Sequence, residues 1–195
     1  MIRTVTLVLL LNGAALAGGG GASMPGMQHA AHGMPEGSMP AEMAAMGERM
    51  TAELRPLRGR AFDIRFAQLM ADHHQMAIDM ARVEVLRGTD VRVKAAAAKV
   101  IAAQQQEIAV MQGWLQAWIR QDYAPRGMGK PMELTGSADR WFLTGMVPHH
   151  RGAVEMAALV PTHSQDARVR TLAADIIRAQ TAEIAQYTAW LGSMK

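Results

Sequence analysis

The sequence predicts an all-α protein, a four-helix bundle that follows an N-terminal arm without a core of its own. Residues 63–115 align with residues 139–191 at a constant offset of 76 and without a gap. Within each copy the apolar residues recur every three or four positions, as they do on one face of a helix. One hairpin of two such helices leaves its apolar face uncovered, so we expect the two copies to pack as a bundle with pseudo-twofold symmetry.

The first 17 residues have the pattern of a secretion signal. Arg3 precedes an apolar run over 5–11, and the segment ends in the small-residue sequence Ala-Leu-Ala at 15–17. This run is shorter than the roughly 20 apolar residues of a membrane span, and every later apolar stretch is interrupted by Arg, Asp, Gln or His. We therefore expect a periplasmic or secreted protein without a membrane span.

The segment 18–55 is predicted to be a disordered arm rich in Met and His, with a helix after Pro40 as the alternative for its second part. Its Gly and Pro content and the lack of an apolar period favour disorder. The spacings Met24-x-x-Met27 and Met43-x-x-Met46 resemble the thioether clusters of exported copper carriers. The arm is therefore expected to collect or transfer metal ions, and an inert tether is the alternative.

The bundle is predicted to occupy residues 56–195 and to begin with the first repeat, 62–121. A helical period covers 62–86 and stops before Gly88. A second helical period covers 90–121. Because only a short turn joins these helices, we expect them to form an antiparallel hairpin.

The second repeat is predicted over 138–193. Its helices are expected at 138–160 and 165–193, with Ser164 as the cap of the latter. Several Pro and Gly residues between the repeats predict a connector over 122–136.

Each repeat carries the same set of His and Met residues on its first helix. The set comprises Met70, His73, His74 and Met80 in the first copy, and Met146, His149, His150 and Met156 in the second. Steps of three and four place His73 on the core face and His74 at its edge. Thioether and imidazole groups on one face, in an exported chain with no cysteine, are typical ligands of a soft metal ion such as Cu(I).

Each repeat also places a glutamate in the middle of the core face of its second helix, at Glu107 and Glu183. A charged carboxylate in a dry core is costly unless it is protonated, hydrogen-bonded or paired with a cation. Antiparallel packing brings the middles of neighbouring helices together. The expected partners of these glutamates are therefore His73, His149 or a metal ion that the two histidines share.

The doubled motif resembles the signature of the family catalogued as domain of unknown function 305, in which a Met, a His pair, an Ala and a Met-Ala lie on one helix. The resemblance covers about 62–194. It implies an exported ferritin-like four-helix bundle and, for some members, periplasmic copper binding and tolerance. The implied ligand set is the eight Met and His residues of the two repeats.

The two repeats differ at positions close to these motifs. Asp72 stands where the second copy has Pro148, and Tyr187 stands where the first copy has Met111. We therefore expect the two half-sites to be inequivalent.

These observations favour an extracytoplasmic protein that binds Cu(I). Its expected role is to sequester copper, to transfer it or to confer tolerance to it. Its expected partners are the metal ion and another copper-handling protein. The net charge of +3 comes from basic residues scattered along the helices, so nucleic acid is not predicted as a partner.

Two other functions remain as alternatives. A ferritin-like di-metal oxidase would need a Glu on each of two helices and Glu-x-x-His on each of the other two. Only Glu107 and Glu183 are predicted on the core face, so enzyme activity is not expected. A metal-free structural helical module would instead use a buried Glu–His network to set the helix register.

Overall fold

Helices make up most of the described chain. The computed structural model describes residues 39–129, 134 and 136–194, and no strand occurs in these ranges. The helices are α1 (Met39–Leu54), α2 (Gly59–Arg87), α3 (Val91–Ile119), α4 (Ala138–Ala158), α5 (Val160–His163) and α6 (Ala167–Ser193). The predicted signal 1–17 and the arm residues 18–38 lie outside the described residues. The predicted all-α bundle is confirmed.

None of the described helices combines the length and the hydropathy that a membrane crossing requires.

Equivalent caps begin the second helix of each hairpin. Asp90 accepts a hydrogen bond from the backbone N–H of Arg92 at the start of α3, and Asp166 accepts one from Arg168 at the start of α6. Such side-chain caps satisfy backbone donors that the helix itself leaves free. The predicted cap Ser164 was wrong: α6 begins at Ala167 with Asp166 as its cap, and the Ser164 hydroxyl accepts a hydrogen bond from the backbone N–H of Asp166.

The helices α2 and α4 run antiparallel through the middle of the core. Phe66 in the first half of α2 shares an apolar cluster with Ala157 near the end of α4. A second cluster joins Ala81 in the last part of α2 to Phe142 near the start of α4. The histidine pairs lie between these clusters, because each pair occupies the middle of its helix.

A further long helix, α1, packs on α4. The prediction of a disordered arm over 18–55 was therefore wrong for residues 39–54, and the alternative of a helix after Pro40 is confirmed. The buried residues of α1 follow steps of four and three on one helical face. They are Met39, Met43, Gly47, Thr51 and Leu54. This stripe was missed because Gly and Thr interrupt its apolar pattern and its Met residues were interpreted as metal ligands.

Two glycines of α4 allow α1 to come close. A methyl group on Gly47 would lie 2.7 Å from the Cα atom of Gly152, and one on Gly152 would lie 2.9 Å from the Cα atom of Gly47. Gly145, two turns earlier on α4, also faces α1. The equivalent positions in the first repeat are Leu69 and Met76, whose side chains would prevent the same approach.

Candidate metal centre

The four paired histidines meet where α2 and α4 pack against each other. The ring centroids of His73 and His149 are 3.7 Å apart. The ring of His74 lies 6.5 Å from that of His73, and the ring of His150 lies 6.1 Å from that of His149. All four side chains are fully buried. The fold therefore joins the two predicted half-sites into a single histidine centre.

The two central rings are neutral at physiological pH. Burial lowers the pKa of His73 well below its usual value, and the nearby His149, His74 and His150 lower it further. Burial also lowers the pKa of His149, with His150 and His74 adding to the effect. The neutral form of imidazole binds metal ions, because one of its two ring nitrogens keeps a free lone pair in the plane of the ring.

Most of the ring nitrogens in this centre lack hydrogen-bond partners among the described residues. Both nitrogens of His73 and of His149 are unpartnered, although each ring lies close to the backbone of the other histidine. Nδ1 of His74 and Nδ1 of His150 are also unpartnered. Buried polar groups are rarely left in this state, because each lost hydrogen bond to water costs free energy. The orphaned lone pairs therefore fit a metal ion better than they fit a purely structural network.

Each glutamate of the predicted site contacts a histidine, but the expected histidines, His73 and His149, were wrong. Glu107 Oε2 lies 2.6 Å from Nε2 of His74, in a hydrogen bond. Glu183 Oε2 lies 2.9 Å from Nε2 of His150, but without the alignment of a hydrogen bond. The partners are His74 and His150 because these residues sit at the edge of the core stripe, where the second helix of each hairpin packs.

The glutamates also do not lie in a dry core, contrary to the prediction. Their side chains are 22% and 29% exposed, for Glu107 and Glu183 respectively. They reach from the rim of the bundle to the buried rings. A carboxylate that accepts the Nε2–H of a histidine leaves the Nδ1 lone pair for a metal ion and makes that nitrogen more basic.

The four predicted methionine ligands are fully buried, but they do not gather at one point. Met70 and Met156 belong to one apolar cluster, and Met80 and Met146 belong to the other. Because α2 and α4 are antiparallel, each pair combines one sulfur from each repeat. The thioethers thus flank the histidine centre on two sides.

The buried donor atoms of the predicted ligand set are imidazole nitrogens and thioether sulfurs, and a carboxylate lies beside each outer histidine. Within 39–129, 134 and 136–194, no three His or carboxylate side chains are placed to hold a metal ion together. Imidazole and thioether donors suit Cu(I).

The two sides of the centre are inequivalent, as the differences between the repeats predict. The ring of Tyr187 stacks on His150 at a centroid distance of 5.9 Å, at the position where α3 carries Met111. Burial raises the pKa of Tyr187, and nearby Glu183 adds to this effect. Its hydroxyl has no hydrogen-bond partner in the part of the chain that the structure describes.

Asp72 has a role that sequence reasoning missed. Its carboxylate accepts hydrogen bonds from the Tyr123 hydroxyl at 2.8 Å, from the Arg126 backbone at 2.8 Å and from Arg126 Nε at 3.2 Å. These hydrogen bonds attach the connector that follows α3 to α2, at the position next to His73. The second repeat has Pro148 at this position and cannot make such contacts.

Gly152 also belongs to the surroundings of the centre. A methyl group on Gly152 would lie 3.3 Å from Nε2 of His73 and would press against the backbone of α1. The glycine contact between α1 and α4 therefore lies beside the histidine rings. Gly145 and Gly152, which lie within the predicted helix 138–160, were the sequence signal from which this close contact could have been predicted.

Comparisons with known proteins agree with this architecture. The profile of a domain of unknown function, DUF305, matches residues 12–115, 63–135 and 139–195. CopM in its Cu(I)-bound form is 33% identical with a TM-score of 0.61, and the alignment covers 67% of this chain and 96% of CopM. CopM has also been solved in Cu(II)-bound and silver-bound forms.

Two further relatives were found. A DUF305 fragment from Deinococcus radiodurans is 25% identical with a TM-score of 0.55, and the alignment covers 68% of this chain and 96% of the fragment. The uncharacterized protein L153 of Acanthamoeba polyphaga mimivirus is 37% identical over 57 residues. These residues are 29% of this chain and span only 38% of the viral protein.

Proposed function

This chain belongs to the DUF305 family, and we propose that it binds monovalent copper outside the cytoplasm, for sequestration, transfer or tolerance. The observation that carries this proposal is the buried histidine centre. Burial keeps its two central rings neutral, and none of their four nitrogens makes a well-aligned hydrogen bond to a described residue, although each ring lies close to the backbone of the other histidine.

The donor chemistry supports monovalent copper as the cargo. Neutral imidazoles and flanking thioethers are soft or borderline donors, and such donors favour Cu(I) over Mg²⁺ or Ca²⁺. The predicted ligand set is Met70, His73, His74, Met80, Met146, His149, His150 and Met156, with Glu107 and Glu183 acting on His74 and His150. The similarity to CopM, which has been solved with copper and with silver, supports the same class of cargo.

The two glutamates offer a way for the ion to reach the buried rings. Each carboxylate is partly in contact with water and also touches a fully buried histidine. A cation at the rim would first meet this negative charge and then the imidazole behind it. We therefore propose Glu107 and Glu183 as entry and positioning groups, and His73 and His149 as the inner ligands.

We propose a binding protein rather than a di-metal oxidase. An oxidase of the ferritin-like kind uses several carboxylates that converge on two metal ions. Here Glu107 and Glu183 each contact a different histidine, on opposite hairpins. This arrangement favours storage or transfer of one soft ion over oxygen chemistry.

The location and the partner are part of the same proposal. The predicted signal over 1–17 favours export, and a chain without cysteine would bind Cu(I) through Met and His there. A protein that takes up copper reversibly needs a donor or an acceptor. We propose another copper-handling protein in this role.

The test is competition for Cu(I) against a chromogenic chelator, together with an assay of oxygen consumption with Fe(II). We expect tight Cu(I) binding that is weakened at least tenfold by His73→Ala combined with His149→Ala. The matched control is His163→Ala, because His163 is largely buried but contacts Phe62 and the Arg55 backbone instead of the centre. Rapid iron-dependent oxygen use with negligible Cu(I) retention would overturn the proposal in favour of the oxidase.

A further inference from the structure

Four buried methionines from three helices belong to one apolar cluster beside the histidine centre. Met39 and Met43 come from α1, Met80 from α2 and Met146 from α4, and all four belong to one apolar cluster. None of them is more than 8% exposed. We call these four residues the α1-side sulfur cluster.

Gly145 brings two of these side chains to the same point. A methyl group on Gly145 would overlap Sδ of Met39 and would lie 2.6 Å from Cε of Met80. The thioether ends of Met39 and Met80 therefore share the space that a side chain at position 145 would fill. The first repeat has Leu69 at the equivalent position, so this convergence occurs only where α1 packs near Gly145 of the second repeat.

The opposite side of the centre obtains its sulfur differently. There Met70 and Met156 pack in one cluster with Met111 of α3. In the second repeat the position equivalent to Met111 is Tyr187. Helix α6 therefore contributes no sulfur to the apolar cluster that contains Met39 and Met80. Two methionines of α1, a helix outside the repeat, supply thioethers there instead.

The surroundings of the α1-side sulfur cluster are apolar. The apolar cluster that contains these methionines is made of alanine, valine, leucine and aromatic side chains, and the ring of His150 stacks on one of them, Tyr187, at a centroid distance of 5.9 Å. The cost of burying an ion rises steeply with its charge. Neutral thioethers in an apolar shell therefore suit a monovalent soft ion and disfavour a divalent one.

Methionine is also an expensive choice for filling this space. Burying a Met side chain costs more conformational entropy than burying a Leu side chain of similar volume. The use of four Met residues in one apolar cluster between three helices therefore needs a reason beyond packing. Ligation through sulfur supplies one.

We propose that the α1-side sulfur cluster is a second binding site for a monovalent soft metal ion, held by thioether sulfur alone. This inference rests on the proposed function, because it concerns the same cargo. The site shares Met80 and Met146 with the ligand set proposed above, but it has no imidazole ligand and it includes Met39 and Met43 of α1, a helix that the repeat does not contain. Occupancy would link α1 to α2 and α4 through the ion.

The experiment is a titration of the full chain, carrying ¹³C-labelled methionine methyl groups, with Ag(I) as a diamagnetic probe. Each methyl signal is assigned by a single Met→Leu substitution. We expect the signals of Met39, Met80 and Met146 to shift on addition of Ag(I). The same shifts should remain when His73→Ala and His149→Ala are combined, because the site uses no imidazole.

A second measurement counts the ions bound. Met39→Leu combined with Met43→Leu should lower the Ag(I) stoichiometry by about one ion per chain, because leucine keeps most of the packing volume but removes the sulfur. The matched control is Met50→Leu, since Met50 lies on α1 but packs against the other apolar cluster. It should leave the stoichiometry unchanged.

The outcomes separate this site from the function on which it rests. Retained Ag(I) without a shift of the Met39 and Met80 methyl signals would overturn the sulfur site and leave the histidine centre intact. Failure of the unmodified chain to retain either Ag(I) or Cu(I) would overturn both. The methyl titration decides the question even where a double variant does not fold, because it uses the unmodified chain.

Discussion

Gly47 of α1 and Gly152 of α4 meet backbone to backbone beside the ring of His73. Neither position has room for a methyl group, since a Cβ atom on either would come within 2.9 Å of the Cα atom of the other. The packing of α1 is therefore coupled to the histidine centre through one glycine contact. This relationship leads to the first prediction.

Gly152→Ala should destabilise the protein and displace α1. Overpacking of a close contact costs typically about 1–3 kcal/mol, which exceeds the gain of up to about 1 kcal/mol from replacing a helical Gly by Ala. The free energy of unfolding in urea would measure the effect. The matched control is Gly113→Ala on α3, where a methyl group meets no atom within 4 Å and a neutral or stabilising result is expected. Equal behaviour of the two variants would contradict the glycine contact.

Removal of residues 18–54 should cost far more stability than removal of residues 18–38. The longer deletion takes away α1, whose side chains Met39 and Leu54 are almost fully buried. Each such side chain stabilises the fold by roughly 1.5–3 kcal/mol through burial. Thermal melts followed by circular dichroism would compare the two truncated proteins. Identical melting temperatures would show that α1 does not belong to the core.

The protein should lose stability as the pH rises through about 8, because of Glu84. Burial and, to a smaller extent, the nearby Asp139 together raise the pKa of Glu84 to about 8. The folded state therefore holds this proton more tightly than the unfolded chain, whose glutamate titrates near 4.5. The stability from the protonated form is complete below about pH 4.5 and is lost progressively up to about pH 8.

Glu84→Gln should remove this pH dependence, because glutamine cannot ionise. We expect the variant to be more stable than the parent at pH 9, by roughly 1–3 kcal/mol. Denaturant unfolding between pH 5 and 9 would measure the difference. Glu155→Gln is the control, since Glu155 is exposed on α4. A parent curve that is flat over this range would refute the role of Glu84.

Glu107→Gln and Glu183→Gln should each weaken Cu(I) binding, and Glu107→Gln should weaken it more. Loss of a carboxylate that orients a metal-binding histidine typically costs about 10–100-fold in affinity. The contact of Glu107 with His74 is an aligned hydrogen bond, whereas that of Glu183 with His150 is not aligned. Chelator competition would give the affinities. A loss of the same size in the exposed Glu155→Gln variant would argue against both positioning roles.

The periodic residues of the chain were sufficient to predict the main architecture. Side chains at steps of three and four can share a helical face wherever the helix lies, so the core position of His73 and of Met80 followed from spacing alone. The duplicated motif likewise predicted two equivalent hairpins. Both features are local, and the structure confirms the bundle and the burial of these residues.

Helix packing decided the pairings inside the bundle. His73 and His74 are consecutive residues and therefore point to different sides of α2. Which of them Glu107 contacts depends on the side of α2 against which α3 packs. The separation of Met70 and Met80 into two clusters follows from the antiparallel course of α4. Neither fact is encoded in the spacing of one helix.

The sequence by itself determined the repeat, the helices and the kinds of donor atom, because these depend on periodicity and on side-chain chemistry within one segment. Only the tertiary structure decided that α1 belongs to the core and that the two histidine pairs form one centre. Both depend on close approaches between distant segments, such as Gly47 with Gly152 and His73 with His149. The fit of two surfaces in space sets such contacts, and no period along the chain reveals it.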